Sequence, residues 1–352
     1  RDPEDVTKIA KMASLLARFV VPRDFREYFA RSESTVFEVD RKTARINWEM
    51  LGLLDEDSGP QGPIGLLSPV ARQLRTSYSP PPSRAASPRA RLRALVIGDP
   101  GDPKKGFSLP GARQEALEVY RLLKDRGLEV IAMIGAPGGD REEELAAFPP
   151  ADLIEVLALL NGEEPFDLLH YAGHGDFDPD APDERAGWVF AEQLLTSREI
   201  ERVDTVPALI VANACLSGLV SDVRADSSAA RAGPARGTDD LLLPGLADEF
   251  FRRGVRNYVG TAWEVNDTGA IMFAKILYEN LLPKNPGEPG GTSLGEALLK
   301  ARLALKDEEA TFGALWAAYQ HYGDPDLQLT GSNVGEIAER ERGANAQKRR
   351  IP

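Results

Sequence analysis

The chain of 352 residues holds one cysteine, Cys215, and three histidines, His170, His174 and His321. A lone thiol excludes an intrachain disulfide and suits a reducing compartment, so a cytoplasmic setting is expected. It also makes that cysteine the first position to test as a nucleophile. No run of about 18 uncharged apolar residues occurs, so no membrane-spanning helix and no membrane partner is expected. Basic charge is in deficit: 42 Lys and Arg face 55 Asp and Glu, a formal net charge of −13. Gripping nucleic acid by its phosphates needs a basic surface, so nucleic acid is not expected as a partner. The acidic balance fits basic partners or substrates. The start, Arg1-Asp2-Pro3-Glu4, has neither an initiator Met nor a secretory leader. The expectation is a piece of a longer protein, with a regulatory domain or sensor partner outside it.

What is present is ordinary for a globular protein, 42% hydrophobic and 28% charged residues. The length suffices for one large domain or two modest ones. Residues Glu4 to Phe19 carry apolar positions at helical spacing, ended by Pro22. Val36 to Val39 reads as a strand, and Ile46 to Leu51 as an ordered packing segment. Gly59 to Pro63 is turn chemistry, and Ser77 to Pro88 is a Pro- and Ser-rich loop or linker. From Leu92 short apolar strands alternate with helices. Strands are expected at Leu92–Gly98, Leu128–Ile134, Phe166–Ala172, Pro207–Ala214 and Arg256–Thr261. Helices are expected at Gly111–Arg126, Asp152–Leu160, Leu241–Arg253, Thr268–Leu282 and Ser293–Lys306. This alternation predicts an α/β fold, a largely parallel sheet with helices on both faces. The organisation is then an N-terminal portion over 1–90 with its loop at 77–88, a core over 91–330 and a polar tail over 331–352.

Two of the strands run into chemistry. "FDLLHYA" leads into Gly173-His174-Gly175, and "PALIVANA" leads into Cys215-Leu216-Ser217-Gly218. Ligands of an open parallel sheet collect at the carboxyl ends of its strands. His174 and Cys215 are 41 positions apart, which leaves room for one crossover, so neighbouring strands would bring them to one edge. An imidazole can take the thiol proton and later return one to a leaving amine. The glycines beside His174 suggest a tight turn, and the backbone N–H groups of Gly175 and Cys215 are natural oxyanion donors. A lone strand-end cysteine is more often a small buried hydrophobe, and a lone loop histidine is usually structural. Their joint placement favours the catalytic reading. His170 competes as the base, but its position inside the strand favours packing. His321 follows an apolar helical stretch, Phe312 to Tyr319, and reads as structural. Two histidines four apart suit a metal on a helix, whereas this stretch reads as strand and turn, so no metal and no cofactor is expected.

"LLHYAGHGDF" at Leu168 to Phe177 and "LIVANACLSG" at Leu209 to Gly218 resemble the CHAT family of caspase-like cysteine peptidases, relatives of caspases and separase. "ARINWEML", "LPGARQEA", "YVGTAWEVND" and "HYGDPDLQL" extend the resemblance over roughly residues 1 to 330. It implies a caspase-like sheet and peptide hydrolysis through an acyl-enzyme, with the base at His174 and the nucleophile at Cys215. It also implies that the N-terminal segment is part of the same module. A regulated protease of bacterial defence is the implied setting, linked to gasdermin-like substrates or to CRISPR and nucleotide-signal sensors. Its protein substrate is then expected to be encoded nearby. The competing function is a catalytically silent interaction module.

Substrate contacts are expected from Asp176, Trp263, Glu264 and Asp267. A carboxylate among them would favour Arg or Lys before the scissile bond, and the flat face of Trp263 suits the cleft wall. The acidic run from Asp176 to Glu184 reads as a solvated loop more than a calcium loop, having two prolines and no central glycine. Ser217 to Asp240, rich in small residues, reads as a mobile active-site loop, with self-cleavage at Arg224, Arg231 or Arg236 the less favoured alternative.

Overall fold

The structure is a computed structural model. It describes residues 13–22, 33–40, 43–55, 59–74, 91–138, 143–177, 186–191, 193–200, 202–203, 206–215, 255–285 and 291–329. The expected loop at 77–88, most of the acidic run 176–184, the loop 217–240, the helix at 241–253 and the tail 331–352 lie outside those residues.

One sheet organises the chain. Its strands are β1 (Thr35–Val39), β4 (Val70–Leu74), β5 (Arg93–Gly98), β6 (Glu129–Ile134), β7 (Leu168–Phe177), β10 (Leu209–Cys215), β11 (Asn257–Thr261) and β12 (Tyr319–Gly323). They stand in the order β1-β4-β12-β11-β10-β7-β5-β6. The run β6-β5-β7-β10-β11 is parallel throughout, and β12 joins β11 antiparallel. Every residue of β5 and of β11 is buried, as a parallel strand covered on both faces requires. β7 runs on beyond the sheet and pairs antiparallel with β8 (Ala186–Val189), which pairs with β9 (Leu194–Thr196). β2 (Gly52–Asp55) and β3 (Gly59–Pro63) form a separate antiparallel pair.

Four longer helices cover the sheet: α1 (Pro110–Asp125), α2 (Leu153–Leu160), α3 (Asp267–Leu281) and α4 (Leu294–Asp307). Their starts are written in the sequence. Pro110 opens α1, where a missing N–H costs nothing. Asp152, Asn266 and Ser293 each accept a backbone N–H from the first turn they precede. Alternate strand residues separate into two cores. Leu95, Ile97, Leu169, Tyr171, Ile210 and Ala212 face one side with α2. Ala94, Val96, Leu168, Leu209 and Val211 face α1, α3 and α4 on the other.

Three expectations are corrected. The strand expected to end at Ala172 continues to Phe177, so His174 lies inside β7 and not in a turn after it. Backbone pairing, with Trp188 opposite Gly175, carries the strand onward. Gly59–Pro63 is strand β3 because its backbone pairs with β2. The apolar stretch before His321 is a short 3-10 helix that gives way to β12 at Tyr319, where pairing with β11 overrides the helical spacing.

The N-terminal portion is welded to the core. β1 and β4 extend the same sheet past β12. Arg72 of β4 and Arg302 of α4 both reach the carboxylate of Glu49, and all three side chains are fully buried. Arg72 Nη2 donates to Glu49 Oε2 at 2.6 Å and to the Ile46 carbonyl at 3.1 Å. Arg302 Nη2 donates to the Tyr319 carbonyl at 2.9 Å. Two cations share this one anion, so losing the carboxylate would leave two buried positive charges uncompensated, which is costly. Glu49→Gln is therefore expected to lower the unfolding free energy by about 3–5 kcal/mol. Denaturant titration checks this, and an unchanged midpoint would show the cluster to be inert.

Candidate active site

β7 and β10 pair in register without a break, from Leu209 opposite Leu168 to Cys215 opposite His174. The two candidate residues are thus direct neighbours across adjacent parallel strands, which lie about 4.8 Å apart. Both fall at the carboxyl edge of the sheet. By strand period His174 lies on the face on which α1, α3 and α4 pack.

The surroundings of His174 are built from the segment after β5. The ring is buried at 7% exposure, with Phe107 edge-on at 6.2 Å between centroids. It also hydrogen-bonds the Phe107 backbone. This bond favours the charged ring, so the ring N–H is the donor and the carbonyl the acceptor. Gly101 makes room: a Cβ there would stand 2.3 Å from the Phe107 carbonyl oxygen. Burial pushes the imidazole below the ordinary histidine value, and the Asp99 charge and the Phe107 bond pull upward without overcoming it. The ring is therefore neutral, and able to accept a proton, at neutral pH.

Asp99 takes a left-handed backbone conformation, φ 50°, just past the end of β5. Its N–H reaches the Ala172 carbonyl, extending the β5–β7 ladder by one bond. Its carboxylate accepts from the Leu109 N–H at 2.7 Å and from Arg113 at 2.9 Å, which fixes the charge at the start of α1. On the opposite face Tyr171 stacks on Trp188 at 4.3 Å. Burial holds the Tyr171 phenol well above its ordinary value, so it remains a donor, and it hydrogen-bonds the His174 carbonyl at 2.7 Å. Gly173 is needed for this closeness and not for a turn: a Cβ there would lie 2.7 Å from the Tyr171 hydroxyl.

Of the other expected site residues, Gly175 lies in β7 opposite Trp188. Asp176 is half-buried one position on. The segment after β11 leaves the sheet beside β10, where Thr261 Oγ1 meets the Ala214 carbonyl at 3.5 Å. It carries Trp263, half-buried against the apolar core, and Glu264 and Asp267, both exposed. The Asp267 carboxylate lies where a Cβ on Gly111 would sit, against the first turn of α1.

His170 and His321 are fully buried within strands. His321 Nε2 meets Asn257 Oδ1 at 2.8 Å, and burial, with Arg302 and Arg72 nearby, pushes its ring down to about 3. Among the described residues no group of three or more His, Cys, Asp or Glu is placed to hold a metal. No described helix is long and apolar enough to cross a membrane.

Asp99, Gly101 and Phe107 escaped the sequence reading. The signal was present, because "GDPGD" follows a buried strand at the same edge where ligands collect.

This sheet, with its edge pair, is the caspase-like fold of cysteine peptidases. A chain from the complex of the Porphyromonas gingivalis RgpB pro- and mature domains superposes with a TM-score of 0.54 at 14% identity, covering 90% of this chain and 72% of that one. The Arg-specific cysteine proteinase gingipain R does so with the same TM-score and identity, covering 89% and 67%. The Saccharomyces cerevisiae separase–securin complex aligns with a TM-score of 0.43 at 16% identity, over 84% of this chain and 16% of that one. No curated protein matches by sequence. The chain belongs to the CHAT domain family, whose model matches residues 35–324.

An NMR titration of His174 is expected to give a midpoint below about 6.5. Gly101→Ala, by displacing the Phe107 carbonyl that favours the charged ring, should move it lower still. A wild-type midpoint at or above that value would refute the account of the ring's burial.

Proposed function

We propose that this CHAT domain is a cysteine endopeptidase, with Cys215 as nucleophile and His174 as general base and acid. The observation that carries the reading is the register of β7 and β10, which makes the only thiol in the chain and a neutral, buried imidazole strand neighbours. A thiol near its ordinary value of about 8.5 is mostly protonated at pH 7 and needs a base. In this reading His174 takes the Cys215 proton and the thiolate attacks the peptide carbonyl carbon. The oxyanion is received by the backbone N–H groups of Gly175 and Cys215. The imidazolium then protonates the leaving amine as the C–N bond breaks, leaving a thioester. Water, deprotonated by His174, attacks that carbonyl; the C–S bond breaks, a carboxylate departs and the thiol is restored. The Phe107 carbonyl supports these steps by fixing the ring.

The substrate side of the proposal is a protein with Arg or Lys before the scissile bond. Asp176 and Glu264 flank the edge from β7 and from the segment after β11. Asp267 is a weaker candidate because its carboxylate already rests on the first turn of α1, where the helix amide ends favour it. Trp263 offers an apolar wall beside them. The acidic net charge and the Arg-specific proteinase among the structural neighbours agree with a basic substrate. The same proposal includes a cytoplasmic setting, a regulated role in defence and a regulatory or sensor partner, all carried by the family resemblance.

Cys215→Ala is expected to abolish cleavage of a fluorogenic peptide panel, and His174→Ala to slow it by at least about 10²-fold. An active Cys215→Ala chain would end the reading. Glu264→Gln should selectively weaken cleavage after Arg and Lys. Best cleavage after Leu, Met or Asp in the wild type would overturn the basic-pocket assignment and leave the dyad standing.

A further inference from the structure

A buried polar chain lies directly beneath the edge pair, and the steps proposed above make no use of it. Asn213 of β10 is two residues before Cys215, and His170 of β7 is four before His174, on the same face as His174 by strand period. Asn213 Nδ2 donates to Glu115 Oε1 of α1 in a very short contact. The same carboxylate oxygen lies 3.1 Å from His170 Nε2. That contact does not form a hydrogen bond. His170 Nδ1 in turn meets the Tyr278 hydroxyl of α3 at 3.0 Å. Burial and the nearby Glu115 charge hold the Tyr278 phenol well above its ordinary value, so it is the donor there. The four side chains are between 0% and 5% exposed.

Such a chain is an expensive way to fill a core. Glu115 occupies the buried stripe of α1 between Ala112, Ala116 and Val119, where an apolar residue would pack without a desolvation cost. Among the described residues Asn213 Oδ1 has no hydrogen-bond partner, and a buried carbonyl left so costs about 1–3 kcal/mol. The amide cannot turn over to satisfy it, because its oxygen would then face the carboxylate. What the arrangement supplies is a fixed tie from each dyad strand to a helix, β10 through Asn213 to α1 and β7 through His170 to α3. Both ties lie within two to four residues of the reacting pair.

We infer that Glu115 and Asn213 are positioning residues, which hold the last turn of the β10 ladder so that Cys215 stays level with His174. The inference rests on the reading of that pair as the dyad. Asp99 supplies the charge that acts on the His174 imidazole. The network is assigned to placement, because its contacts run from the two strands to α1 and α3.

The test is the rate of Cys215 alkylation by iodoacetamide across pH, on the full chain, in wild type, His174→Ala and Asn213→Ala. Asn213→Leu, of similar volume, replaces Asn213→Ala if that variant fails to fold. Pairing with His174 should make the wild-type thiol react fast near pH 6–7, where a free thiol near 8.5 is mostly protonated. The Asn213 variant should lose that enhancement near neutrality yet match wild type above about pH 10, where a thiol near 8.5 is almost wholly ionised. Its kcat on a cleaved peptide should fall about 10²-fold with little change in KM. A purely structural role would lower the melting temperature but leave the pH dependence of the folded thiol untouched, and that result would overturn the inference. A wild-type thiol no faster than that of His174→Ala would instead overturn the dyad itself. A fast wild-type thiol with no peptide cleaved would count against the endopeptidase reading alone.

Discussion

The rest of the site depends on the parallel register between β7 and β10. Seven residue pairs run without a bulge, and the last of them is His174 with Cys215. Side chains alternate faces along a strand, so a slip of one residue would send either partner to the opposite face. The register is protected from below. Leu168 and Leu209 are fully buried under α1, α3 and α4, and β5 and β11 close the two outer edges of the pair. Ordinary strand burial at the carboxyl-distal end therefore sets the spacing of the chemistry at the other end.

Above that pair the structure replaces packing by backbone. Three carbonyls or N–H groups, those of Phe107, His174 and Asp99, are engaged where side chains would normally fill space. Two of these approaches need the missing Cβ of Gly101 and Gly173. A backbone carbonyl cannot rotate away as a side chain can, so the imidazole is held by a partner with little conformational entropy to lose. The same economy appears at the far edge of the sheet. There a buried Arg–Glu–Arg cluster fastens β4 to the core, and makes the N-terminal strands part of the sheet that carries the candidate pair.

Much of this was legible in the residues. Apolar runs of strand length marked β5, β6, β7, β10 and β11, because a strand buried on both faces has no polar side to interrupt it. Caps at Asp152, Asn266 and Ser293 marked helix starts within a residue or two. Cys215 stood out as the only thiol, and His174 by its place after an apolar run. Elsewhere local signals misled. Gly173-His174-Gly175 read as a turn, since glycine is permissive, yet the first glycine serves close approach of a tyrosine within a continuing strand. Gly59–Pro63 read as a turn and Phe312–Tyr319 as helix, because pairing partners far along the chain do not show in a local window. Glu115 could have been noticed as a charge inside the apolar stripe of α1, but its partners lie on β7 and β10 and have no signature at the helix.

The sequence alone determined the strands and helices of the parallel core and the α/β class, and it singled out the two candidate residues, since each follows from local patterning or from scarcity. Tertiary structure decided which strand lies beside which, where β7 ends, and what surrounds the imidazole. Those outcomes turn on contacts between residues tens or hundreds of positions apart, from Phe107 against His174 to Glu49 between two arginines. Such contacts are settled by the packing of the whole sheet and leave no periodic trace in the chain.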